Sequence, residues 1–161
     1  MGNIVNTLLS TAISLFSHVG TYSFLDLTGV ISHPSLGSFT LTGKGVGEIT
    51  ISMANDKTSH EIGIDGAILA TQVPGNNGTL ILSIQQTSAL NNWLLKWANY
   101  LQNEQTPRNE WLMTTILIKS KSLKIEHKIA GVSPQKIPDS QYQAQGQRVT
   151  WVLMAADIQT T

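Results

Sequence analysis

The stretch Gly78–Leu101, GTLILSIQQTSALNNWLLKWANYL, decides the fold, because a strand passes directly into a helix within it. Leu80, Leu82 and Ile84 alternate with Thr79, Ser83 and Gln85, the period of two expected of a strand with one buried face. Ile81 interrupts the polar side, so that face is expected to be partly covered as well. Thr87 or Ser88 supplies a short side-chain oxygen to cap a helix, accepting an amide proton that the first turn leaves unpaired. Leu90, Trp93, Leu94, Trp97, Tyr100 and Leu101 then recur every three or four residues and line one helical face. Asn91, Asn92, Lys96, Asn99 and Gln102 fall on the other side, and Pro107 stops the pattern. At that spacing Trp93 and Trp97 read as core rather than as a ligand platform.

On both sides of this unit the pattern is β. Strands are expected over Tyr22–Ile31, Ser38–Thr42, residues 48–54, the HEIGID segment from His60, and residues 67–73. Ile62 and Ile64 share a face with His60 there, and Pro74–Gly78 composes a turn. After the helix come a largely apolar strand over 111–118, a lysine-bearing hairpin into a strand over 123–129, and a last strand over 148–156. Residues 133–147 hold two prolines and five glutamines and read as loop or edge. About nine short strands with one helix predict a mainly β domain, a sandwich or barrel.

The chain of 161 residues is one domain by length and has no cysteine, so disulfides and thiolate metal sites are excluded. Ten basic and ten acidic residues cancel, so no global field draws in nucleic acid or an acidic membrane. Only 12% of residues are charged, about half the ~25% of ordinary soluble domains. Serine, threonine, asparagine and glutamine take their place, with 53 residues between them. Such a surface is poorly protected against self-association and suits a protein that meets copies of itself.

Residues 3–19 contain no Asp, Glu, Lys or Arg. Ile4, Leu8, Ala12, Leu15 and Val19 form one helical stripe, widened by Val5, Leu9, Ile13 and Phe16. No basic residue precedes the run and no small-residue cleavage site follows it, as a secretory signal would require. The run is short and rich in Asn, Thr and Ser for a membrane span. An apolar arm or helix that packs on a neighbouring subunit is expected over 1–20, with Ile4, Leu8, Leu9, Ile13, Leu15 and Phe16 as inter-subunit contacts.

Catalytic constellations are weak. His18, His33, His60 and His127 show no metal-ligand spacing. Ser133-Pro134-Gln135-Lys136 has the serine–lysine spacing of some hydrolases but lacks the companion motifs. Gly43-Lys44-Gly45-Val46-Gly47 has neither the spacing nor the following helix of a phosphate cradle. Lys119, Lys121, Lys124 and Lys128 could contact phosphate. A solvated hairpin edge guarded by lysines accounts for them more simply. No enzyme activity, metal or cofactor is expected.

Several segments resemble a structural protein of contractile-tailed bacteriophages, the family that supplies the tail tube. They are Thr21-Tyr22-Ser23-Phe24-Leu25-Asp26, the run from Ile49 to Lys57, Ile62-Gly63-Ile64-Asp65-Gly66, Gly78-Thr79-Leu80-Ile81-Leu82-Ser83 with Thr87-Ser88-Ala89-Leu90-Asn91, and Val149-Thr150-Trp151. They cover about residues 21–157 in the family's order, whereas residues 1–20 depart from it. The resemblance implies two packed antiparallel sheets with one flanking helix over 21–161, a fold related to the type VI secretion tube. It implies hexameric rings stacked into the inner tail tube, a conduit for DNA through the host envelope. The implied partners are further copies, the sheath, baseplate and tail terminator proteins, and DNA in transit without specific binding or stable membrane insertion. The implied location is the virion, after assembly in the host bacterial cytoplasm. Neutral strand faces suit a wall along which DNA slides, so Thr50 and Ser52 are candidate lumen residues, and Lys119–Lys128 are expected to avoid the lumen. A DNA-free tube, of a phage-tail-like bacteriocin or a secretion machine, and a monomeric β-sandwich binding module are the alternatives.

Overall fold

Nine strands, one α-helix and two short 3-10 turns make up the regular structure of residues 23–161, the part of the chain that the computed structural model describes. The strands are β1 (Leu27–His33), β2 (Gly37–Thr40), β3 (Val46–Met53), β4 (Thr58–Ile62), β5 (Ile68–Gln72), β6 (Gly78–Gln85), β7 (Thr114–Ser120), β8 (Ile125–Pro134) and β9 (Arg148–Thr160). Helix α1 is Ala89–Gln102, and the 3-10 turns are Phe24–Asp26 and Arg108–Leu112. Seven strands form one antiparallel sheet in the order β2-β1-β7-β8-β9-β6-β3, while β4 and β5 form a second, two-stranded sheet. The expected mainly β architecture with two antiparallel sheets and one flanking helix is therefore present. The expected N-terminal arm and its contact residues, Ile4 to Phe16, lie outside the described residues.

Strand β6 buries Gly78, Leu80, Leu82 and Ile84, and leaves Thr79, Ile81 and Ser83 half-buried on the other face. Its neighbours repeat the alternation in register: Leu80 lies between Ile51 and Leu153, and Leu82 between Ile49 and Trp151. Ser88 caps α1, its Oγ accepting the Asn91 amide proton at 3.2 Å. The helix buries Leu90, Leu94, Trp97, Ala98 and Leu101 against the sheet. Trp93 is half-buried and stacks between Phe39 of β2 and Trp97, with ring centroids 6.1 and 6.3 Å away.

Helix α1 touches both β2 and β6, which sit near opposite ends of the sheet order. Laid flat, seven strands would hold the β2 and β3 edges about 29 Å apart. The connection from Thr40 to Val46 can span at most about 22 Å. The sheet must therefore curl into a half-barrel, with α1 and the buried Leu41 inside the curl.

A corner in β8 and β9 helps the curl. Buried positions there jump by three, from Ile129 to Val132 and from Ala155 to Ile158, instead of by two. Gly131 sits at the corner with φ +64°, and a Cβ on it would lie 2.6 Å from the Ala156 Cβ. Corners of this kind increase the bend and twist of a strand pair.

Several boundaries differ from the sequence reading. The strand expected from Tyr22 begins at Leu27, because Ser23 accepts the Leu25 amide proton and caps a 3-10 turn first. Trp111 and Leu112 belong to the 3-10 turn after Pro107 rather than to β7. Leu123 stands in the β7–β8 turn, and β8 runs on to Pro134, into the segment expected to be loop or edge. Asn91 is the main correction on α1. Assigned to the polar side, it is buried, because the Trp151 indole N–H needs an acceptor and finds the Asn91 Oδ1 at 2.9 Å.

Candidate functional site: the assembly surfaces

One cluster has the residue types of a hydrolase site. His33, Ser35, Tyr100 and Glu110 meet where the β1–β2 turn, the end of α1 and the second 3-10 turn converge. Ser35 Oγ donates to Glu110 Oε1 at 2.9 Å and Tyr100 OH donates to Glu110 Oε2 at 2.6 Å. The Ser35 amide donates to His33 Nδ1 at 3.1 Å. His33 therefore carries its proton on Nε2, which faces the Glu110 carbonyl oxygen at 3.3 Å. A serine nucleophile needs the imidazole on its hydroxyl. Here the hydroxyl is spent on the carboxylate, and the cluster works as a clamp between three elements. The Tyr100 hydrogen bond first, then that of Ser35, hold the Glu110 carboxyl below the usual carboxylate range against a smaller desolvation effect, with weak help from His33. Burial pushes the His127 pKa down. Among the described residues no group of three or more His, Cys, Asp or Glu side chains could hold a metal, and no helix is long and apolar enough to cross a membrane.

The surfaces outside the curl are more informative. Thr50 and Ser52 project from β3 into solvent. Ser52 continues in register through Thr79 to Met154, and Thr50 through Ile81 to Val152. Two charges stand on this face, Glu48, to whose Oε1 Thr50 Oγ1 donates at 3.3 Å, and Arg148, whose guanidinium lies over the adjacent Gly47. Lys119 and Lys128 lie on the outward side of β7 and β8, opposite Glu126 and Leu117 respectively, with Lys119 and Glu126 4.0 Å apart. Lys121 and Lys124 stand in the turn between those strands. Because β7 is four strands round the curl from β3, its outward face is turned away from Thr50 and Ser52.

Two features leave contacts open. Among the described residues strand β3 pairs only with β6, so an eight-residue edge with no lysine or proline faces outward. Exposed edges of that kind invite pairing with another chain. Among the described residues the β4–β5 hairpin pairs only with itself, and it has every strand residue exposed. Ile62 is 72% exposed, Ile68 and Leu69 are 63% exposed, and Ile64 in the tip is fully exposed. The sequence reading missed that this pair stands apart from the main sheet. The signal was present in the turn clusters at Asn55–Thr58 and Pro74–Gly78, which fence the hairpin off on both sides.

The chain is thus a helix-braced β half-barrel with open edges among the described residues and a polar cluster held as a clamp. The family described as Bacteriophage PhiTE tail tube protein matches residues 19–161, and the chain belongs to it. No curated protein matches the chain. Solved structures share the fold at low identity. The extracellular contractile injection system PVC sheath–tube complex in its extended state is similar at 11% identity, with 92% of this chain and 96% of that one covered and a TM-score of 0.54. The PVC sheath/tube terminator gives 12%, 89%, 99% and 0.55 for the same quantities. A chain of the anti-feeding prophage baseplate gives 16%, 89%, 96% and 0.56.

Proposed function

We propose that this chain assembles with copies of itself into hexameric rings, stacked as the inner tube of a contractile tail and used as a conduit for DNA. The open edge of β3 carries the reading. Its unpaired amides and carbonyls can accept a strand from the next subunit, so that six curled sheets join into one continuous barrel. Thr50 and Ser52 then face the channel, where hydroxyls and Glu48 predominate and a single cation, the Arg148 guanidinium over Gly47, offers phosphate little grip. Lys119–Lys128 fall on the far side of the subunit. The apolar stripe of residues 3–19 packs on a neighbouring subunit. Sheath, baseplate and terminator proteins are the partners, in keeping with the particles in which similar folds occur. The tube assembles in the host bacterial cytoplasm, resides in the virion, and does not insert stably in a membrane.

Negative-stain microscopy of the purified chain tests this, with rings or tubes expected. Dispersed monomers at high concentration would favour a free-standing binding module instead. A second reading, the tube of a DNA-free particle, is favoured by the likeness to extracellular injection systems. Whether particles built with this chain contain DNA separates the two.

A further inference from the structure

We propose that the groove between the end of α1 and the following 3-10 turn receives the tip of the β4–β5 hairpin from a second copy. This rests on the tube reading and names the surfaces by which one ring meets the next. The groove is an open cavity of about 810 Å³ lined by Leu101, Thr106, Trp111 and Leu112, with Glu104 and Arg108 in its walls. Leu112 is 56% exposed, and the hairpin tip presents Ile62 and Ile64 to solvent.

Placement supports the match. Strands β3 and β7 run in the same direction, since β6, β9 and β8 stand between them in an antiparallel sheet. The hairpin follows the end of β3, and the turn that builds the groove precedes the start of β7. Hairpin and groove therefore lie at opposite ends of the sheet. Complementary surfaces at opposite ends make a head-to-tail contact that repeats without closing, as a stack of rings requires. The Lys121–Lys124 turn ends β7, at the hairpin's own end, and cannot serve as the receptor in such a stack.

Charge supports it as well. Segment 54–77 carries Asp56, Glu61 and Asp65 against Lys57, a formal charge of −2 from three acids and one lysine. Lys57 is turned back onto the Gly75 carbonyl and the Asn76 side chain. Lys119–Glu126 is the one ion pair among the described residues, so Arg108, Glu61 and Asp65 have no counterion among them. Seating the tip brings Asp65 to Arg108.

The full-length chain tests the contact by microscopy and sedimentation. Ile64→Asp and Leu112→Asp change exposed residues, so both variants should keep the wild-type melting temperature. Each alone should give single rings without tubes. An equimolar mixture should give paired rings and nothing longer, because each ring keeps one working face. Arg108→Glu should lose tubes, and adding Asp65→Arg in the same chain should restore them. Tubes of wild-type length from Leu112→Asp or Arg108→Glu overturn the groove and leave the tube reading standing. Absence of rings and tubes from the wild-type chain overturns the tube reading itself.

Discussion

The Trp151 indole N–H donates to the Asn91 side-chain oxygen at 2.9 Å, joining the last strand of the sheet to the first turn of the helix inside the core. The Asn91 side-chain Nδ2 donates in turn to the Gln86 backbone carbonyl at 3.0 Å. A second indole repeats the arrangement, with Trp97 donating to Thr114 Oγ1 at 2.8 Å. No buried side-chain nitrogen or oxygen among the described residues lacks a partner.

Replacing Asn91 with Leu leaves the Trp151 N–H and the Gln86 carbonyl without partners. Each orphaned group costs about 1–3 kcal/mol, so stability should fall by about 2–6 kcal/mol. Denaturant unfolding followed by tryptophan fluorescence measures this. Asn92→Asp, one residue on and exposed, should change stability by less than about 0.5 kcal/mol. Equal losses from the two variants would contradict the placement of Asn91.

Asn91 shows where sequence reading runs out. Leu90, Leu94, Trp97 and Leu101 were legible as core, because apolar spacing reports a helix face directly. The polar member of that face was not, because its burial is dictated by an indole sixty residues away. The strand β6 was legible to the residue, since Leu80, Leu82 and Ile84 face only the core. The curl was illegible, because it follows from strand order and a short connection rather than from any local pattern. The candidate wall residues Thr50 and Ser52 were legible as a polar strand face. The hairpin beside them was not recognised as a separate sheet, because Ile62 and Ile68 have the apolar character of core residues while standing exposed.

Acid should loosen the clamp around Glu110. Its carboxyl is held below the ordinary value of 4.5, mainly by Tyr100 and then by Ser35. A depressed folded-state pKa means that the unfolded chain binds the proton more readily. The contribution is therefore complete above pH 4.5 and is lost as pH falls through the lower folded value. His127, lowered by burial, adds a loss in the same direction that begins below pH 6.5. Stability measured against pH should fall less steeply below 4.5 in Glu110→Gln and Tyr100→Phe than in wild type. Identical acid limbs would show that the clamp does not couple to folding.

The absence of cysteine makes the wall assignment accessible to labelling. Thr50→Cys should react with both a small and a polymer-linked maleimide in the dispersed protein. After assembly it should react only with the small reagent, which can diffuse along the channel. Asn92→Cys, on the exposed side of α1, should accept both reagents in tubes if that side forms the outer surface. Full polymer labelling of Thr50→Cys in intact tubes would place β3 elsewhere.

Gly131 should tolerate no side chain, for two separable reasons. Its φ of +64° disfavours an L-residue by roughly 1–2 kcal/mol. Its added Cβ would also meet the Ala156 Cβ at 2.6 Å, well inside van der Waals contact. Gly131→Ala should therefore destabilise by more than the backbone penalty alone, about 2–4 kcal/mol. Adding Ala156→Gly removes the clash and leaves the φ penalty, so the double variant should recover part of the loss. Full recovery would mean that the backbone at the corner relaxes without strain. No recovery would mean that the clash is relieved by movement of β9, and that the corner is softer than its geometry implies.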